Sequence, residues 1–102
     1  MSEPAWRKLA ADFASELSEL RQARGLSWDE LAARSGVSRT YLRDLEAGRG
    51  ASLPSPRIVG LIAGALEVAP DHFRVTRARA VLASPKVIDT VYGKLRRPKA
   101  AA

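Results

Sequence analysis

The sequence predicts an all-α domain of five short helices with an additional C-terminal amphipathic helix. Three observations carry that prediction. Apolar residues recur at helical spacing along most of the chain, and no run of alternating β-branched residues is long enough for a strand. Capping residues and glycines punctuate this pattern at the intervals short helices require. With 46% apolar residues in 102, the chain can build one modest core but not two.

Helix 1 is predicted to begin after Pro4 and run to about Arg24, with Trp6, Leu9, Phe13, Leu17 and Leu20 on one buried face and Gly25 as its exit. Its first turns, within residues 1–12, are read as an N-terminal helical arm. Helix 2 starts at Ser27, because Ser27 and Glu30 have the spacing of a capping box, each side chain covering an unpaired amide of the other residue. Gly36 stops it. Ser38 can cap helix 3, and Gly48 marks its end. The turn between the two is about three residues long, short enough for helices crossing at roughly 90–120°. Leu31, Val37, Leu42 and Leu45 would share the crossing, Ala32 allows close approach, and Arg39, Thr40, Arg43 and Asp44 are left facing outward.

Ala47 to Leu53 is a loop containing Gly48, Arg49 and Gly50. Ser55 can cap helix 4 with Pro56 at its first position, and Ile58, Leu61, Ile62, Ala65 and Leu66 are read as its buried face. Pro70 is predicted to open helix 5, with Phe73 as core anchor and Val75, Ala78, Val81 and Leu82 extending it until Ser84-Pro85. A sixth helix would then present Val87, Ile88, Val91, Tyr92 and Leu95 as an apolar stripe. That stripe has three possible uses: pairing with a second copy, which is the reading preferred here, packing back on the domain, or binding another protein. Residues 97–102 read as a flexible basic tail.

Charge and composition narrow the function. The formal net charge is +6, but residues 1–69 hold nine Lys/Arg against nine Asp/Glu, whereas residues 70–102 hold eight against two. Such a basic segment suits sequence-independent attraction to nucleic-acid phosphate; the alternative is a solvated basic surface. With no cysteine there is neither a disulfide framework nor a thiolate metal site. No secretory leader and no stretch of 18 apolar residues is evident, so a cytoplasmic protein away from membranes is expected. An enzyme is not expected: the one histidine, His72, lies in the Pro70-Asp-His-Phe73 turn, and there is no glycine-rich phosphate loop or secluded acid pair. No cofactor or metal is expected.

The stretch Leu20-Arg-Gln-Ala-Arg-Gly-Leu-Ser27, Glu30-Leu-Ala32, Ser35-Gly-Val-Ser-Arg39, Tyr41-Leu42, Leu45-Glu46 and Gly48 resembles the helix-turn-helix of the Cro/cI (Xre) family of phage repressors and bacterial regulators. Pro54-Ser55, Ala65-Leu66 and Val68-Ala-Pro-Asp-His-Phe73 continue the likeness, which spans residues 13–73 and leaves 74–96 as a C-terminal extension. The resemblance implies a lambda-repressor-like five-helix fold and a sequence-specific, homodimeric transcriptional regulator, a repressor by family habit, reading an inverted repeat in double-stranded DNA. It places Ser38, Arg39, Thr40, Arg43 and Asp44 at the bases, with Arg39 the leading candidate for a guanine. Asp44 could accept from a cytosine or brace Arg39 or Arg43. Trp28, Tyr41, Arg49 and Ser52 are candidates for phosphate contacts, with Arg24 and Arg34 as additions.

Trp28 departs from the family pattern, which commonly has glutamine there. An indole donates one hydrogen bond and accepts none, so it cannot copy an amide; packing on helix 1 or on a partner competes with a phosphate contact. Two alternatives share the fold: an Xre-type antitoxin that autoregulates a toxin–antitoxin operon, and a protein-binding adaptor with reduced DNA binding.

Overall fold

Pro4 determines where the first helix starts. Its extended backbone (φ −65°, ψ 146°) precedes α1 (Ala5–Ala23), and its carbonyl accepts from the Arg7 amide at 3.0 Å. The computed structural model describes residues 4–49 and 52–83, and in them it contains five α-helices, one 3-10 turn and no strand. α1 is followed by α2 (Trp28–Ser35), α3 (Arg39–Glu46), α4 (Pro56–Ala65), the 3-10 turn Pro70–His72 and α5 (Arg74–Ala83).

The predicted caps form. The Glu30 amide donates to Ser27 Oγ at 3.0 Å, and the Ser27 amide donates to Glu30 Oε1 at 2.8 Å. Ser38 Oγ accepts from the Tyr41 amide at 3.1 Å, and Ser55 Oγ from the Ile58 amide at 3.2 Å. Gly36 ends α2 in left-handed backbone (φ 78°), which a residue without Cβ adopts at little cost. α2 and α3 therefore join through Gly36, Val37 and Ser38.

Phe13, Leu17, Leu31, Leu42, Ile62, Leu66 and Phe73 are almost fully buried in one core, with Val37, Leu45, Val59 and Val75 around them. Burial of one such side chain contributes about 1.5–3 kcal/mol. The core lies where α1, α2, α3, α4 and the Phe73 segment meet.

Three readings require correction. On α4, Ile62, Ala65 and Leu66 are buried as expected, but Leu61 is exposed, and Val59 and Ala63 are inside in its place, so the buried face is broader and shifted away from position 61. Trp6, Leu9 and Leu20 are only half-buried, whereas Ala14, small enough for close helix approach, is buried beside Phe13 and Leu17. The segment opening at Pro70 is not one helix. It makes a single 3-10 turn and breaks at Phe73, whose extended backbone (φ −89°, ψ 136°) lets its ring reach Phe13 at a centroid distance of 4.9 Å. α5 then starts afresh, and its first amide, that of Arg74, donates to both carboxylate oxygens of Glu16 at 3.2 Å.

Val87, Ile88, Val91, Tyr92 and Leu95, and with them the sixth helix, lie outside the described residues.

Candidate nucleic-acid interface

α3 presents one apolar face inward and one polar face outward. Leu42 and Leu45 are buried, while Arg39, Thr40, Tyr41 and Arg43 are exposed and Asp44 is half-exposed. With only eight residues, α3 owes its orientation to its neighbours. α1 and α2 both pack against it, and the Ser38 cap fixes where it starts. The outward residues therefore project from a rigid corner.

That corner has an ionic keystone. Arg21 of α1 pairs with Glu46 of α3 (Nε to Oε2, 2.7 Å) and donates through Nη1 to the Leu26 carbonyl at 2.7 Å. Its guanidinium lies 4.1 Å from the centre of the Trp28 ring, so one cation ties α1, α2 and α3 together. The side chains of Arg21 and Glu46 are 14% and 6% exposed, which makes this pair structural rather than a solvated surface contact.

Trp28 is consequently half-buried, stacked on α1 and packed against the core. Its ring still lines an open cleft of about 360 Å³ with Ser18, Gln22, Arg43 and Arg49. The indole occupies the place where the resemblance would put a phosphate-binding amide, and it holds a cation rather than a free donor outward.

The outward cations are partly matched by acids. Arg39 Nε lies 3.1 Å from Asp29 Oδ1 on α2, and Arg49 Nη1 lies 3.8 Å from Asp44 Oδ1. Asp44 thus pairs with Arg49, not with Arg39 or Arg43, because the turn after α3 folds Arg49 back so that its amide donates to the Asp44 carbonyl at 2.9 Å. Arg43 forms no ion pair among the described residues. Ser38 is exposed but its oxygen is engaged as the α3 cap, and Ser52 is exposed at the edge of the loop.

Other predicted cations are used elsewhere. Arg24 Nε donates to the Leu66 carbonyl at 3.0 Å and so covers the C-terminal end of α4. In the basic C-terminal third, the described arginines hold α5 in place: Arg74 pairs with Asp12, Arg77 donates to the Asp71 and His72 carbonyls, and Arg79 donates to the Pro54 carbonyl. Arg34 is exposed beside a groove lined by Gly60, Leu61 and Gly64 on α4.

Asp29, Arg21 and Glu46 were not legible as members of this site. An acid in the first turn of a helix reads as a partner for the helix dipole, and nothing local marks Arg21 and Glu46, 25 residues apart, as a pair. Among the described residues no cluster of three His, Cys, Asp or Glu could hold a metal, and no helix is long and apolar enough to cross a membrane.

The helix-turn-helix family HTH_3 matches residues 17–73, more than half of the chain and the segment that contains α2, α3 and α4. The chain belongs to this family. An HTH_3 family transcriptional regulator from Vibrio cholerae is 29% identical, with a TM-score of 0.62 over 74% of this chain and 41% of that one. The chain thus spans less than half the length of that regulator. The SinR protein/SinI protein complex matches at 19% identity and a TM-score of 0.56, over 86% of this chain and 98% of that one, a likeness of fold alone. No curated protein matches the chain. The family is a non-enzymatic one, and its helix-turn-helix corresponds here to α2, the Gly36 turn and α3.

Proposed function

We propose that this protein is a sequence-specific DNA-binding transcriptional regulator that enters the major groove with α3. The observation that carries this reading is the exposed polar face of α3, Arg39, Thr40, Arg43 and Asp44, on a helix held from behind by α1 and α2. A major groove about 12 Å wide admits one helix, and a guanidinium can take O6 and N7 of guanine together. Arg39 is the leading base contact. Thr40 and Arg43 accompany it, Ser38 lies at the groove entrance, and Asp44 accepts from a base amino group or holds Arg49. Tyr41, Arg49 and Ser52 flank the helix as phosphate contacts, and Trp28 contributes the apolar wall of the cleft beside them.

One such module reads too few bases for a unique site, so the protein acts as a homodimer on an inverted repeat. The dimer seam is assigned to Val87, Ile88, Val91, Tyr92 and Leu95. Exposed Val81 and Leu82 near the end of α5 favour an interface on this side. Double-stranded DNA is the principal partner, the protein works in the cytoplasm, and no cofactor is involved. An antitoxin would use the C-terminal stripe or the N-terminal arm for a toxin, and an adaptor would use Trp28 and the C-terminal stripe for another protein.

The test is selection of bound fragments from a random-sequence DNA pool at about 150 mM salt, where nonspecific phosphate attraction is largely suppressed. Enrichment of an inverted repeat with half-sites about 10 base pairs apart is the expected result. Recovery of unselected sequence overturns the reading and favours a protein partner.

A further inference from the structure

Asp29 occupies the second position of α2, one residue after Trp28, and its carboxylate meets the first residue of α3. The separation between Asp29 Oδ1 and Arg39 Nε is 3.1 Å, with the two side chains 79% and 54% exposed. At that exposure an ion pair contributes little to stability. Its consequence lies in where Arg39 is held. The helix dipole accounts for an acid in this turn, but Glu30 already supplies one within the capping box.

Two features of the pair bear on base reading. Guanidinium carries five donors on a planar fork. With a carboxylate beside Nε, the two Nη groups stay available as the pair of parallel donors that guanine O6 and N7 accept. Second, the carboxylate opposes DNA's own charge. An Arg39 that left Asp29 for a backbone phosphate would leave an uncompensated anion facing the duplex, so escape to sequence-independent contacts is disfavoured.

We infer that Asp29 is the specificity-determining positioning residue of this helix-turn-helix, holding Arg39 in its base-reading geometry and suppressing its use as a phosphate contact. This rests on the DNA-reading function proposed above. Asp29 does not touch a base; it acts through Arg39. The same chemistry makes the arrangement a trade: overall attraction to DNA is lowered so that the difference between right and wrong sites is raised.

The experiment measures binding of the full chain to the enriched site, to that site with each G·C pair replaced by A·T in turn, and to an unrelated duplex, over a range of salt. The variants are Asp29→Asn, Arg39→Ala, their combination, and Asp71→Asn as a control that removes an exposed carboxylate from the Pro70–His72 turn. Asp29→Asn is expected to tighten binding to the unrelated duplex and to steepen the salt dependence by up to one phosphate's worth, about 0.9 in log–log slope. It should also lower discrimination at one G·C pair by up to about fivefold, the most an ion pair of this exposure supplies, and less than the loss from Arg39→Ala. In the Arg39→Ala background the same change should leave discrimination unaltered, and Asp71→Asn should leave it unaltered throughout.

Unchanged discrimination in Asp29→Asn overturns the inference while leaving the DNA-reading function standing. An equal loss with and without Arg39 overturns it as well. Failure of the unmodified chain to prefer any duplex overturns the DNA-reading function itself, and the inference with it.

Discussion

Glu67 adopts left-handed backbone, φ 61°, one residue beyond the α4 cap residue Leu66, and it is the one non-glycine among the described residues with positive φ. The Glu67 amide donates to the Gly64 carbonyl and the Val68 amide to the Ala63 carbonyl, the two bonds of a Schellman ending. α1 and α3 end with the same two bonds, and there the left-handed position is held by Gly25 and Gly48. A side chain in this conformation costs about 1–2 kcal/mol, part of which glycine returns through its looser unfolded chain. Glu67→Gly is therefore expected to stabilise the fold by up to about 1 kcal/mol, read as a higher urea midpoint at unchanged slope. Space does not oppose a side chain at the other two endings: a Cβ at Gly25 or Gly48 would meet nothing within 4 Å, so conformation alone selects glycine.

At the scale of elements, local chemistry explains the boundaries and little else. Ser27, Ser38, Ser55, Gly25, Gly36 and Gly48 all act within four or five residues of themselves, which is why the helix ends they mark are legible in the sequence. The capping box has a pH signature. Hydrogen bonding from Ser27, by its backbone amide first and its side chain second, holds the Glu30 carboxyl below its ordinary value of 4.5. A carboxyl whose folded pKa is depressed contributes stability above that ordinary value and loses it as pH falls through the lower folded value. Glu30→Gln keeps an acceptor but not the charge. The stability difference between the two proteins, from denaturation midpoints, should be present at neutral pH and vanish as pH drops below about 4.5. A difference that persisted in acid would mean the carboxylate contributes by something other than its charge. The break at Phe73 is an element boundary of the opposite kind, invisible locally: Pro70 signals a helix start, but the contact of the Phe73 ring with Phe13 interrupts that helix after a single turn.

For the whole molecule, the keystone formed by Arg21, Glu46 and Trp28 contributes to how firmly α3 is held. Removing Glu46 leaves a largely buried guanidinium with the Leu26 carbonyl and an aromatic face, but without its carboxylate. Loss of a charged hydrogen-bonded partner of this kind costs about 1.5–3 kcal/mol. Glu46→Ala should lose that much in urea denaturation, and its DNA affinity should fall at cognate and unrelated sites alike, since the whole of α3 loosens rather than one contact. A variant as stable as the parent would show that the core alone orients α3.

By itself the sequence determined the all-α class, the ends of α1, α2 and α3 and the start of α4, the helix-turn-helix and the outward placement of Arg39, Thr40 and Arg43. These come from bonds three to five residues long and from apolar spacing, which a linear pattern records. Only the tertiary structure decided that α4 turns Leu61 outward, that Glu16 caps α5 across 58 residues, that Arg24 covers α4, and that Asp44 and Asp29 take Arg49 and Arg39 as their partners. Long side chains such as arginine reach whichever carbonyl or carboxylate the packed helices bring near, and that choice is made by the angles between helices, which no single segment encodes.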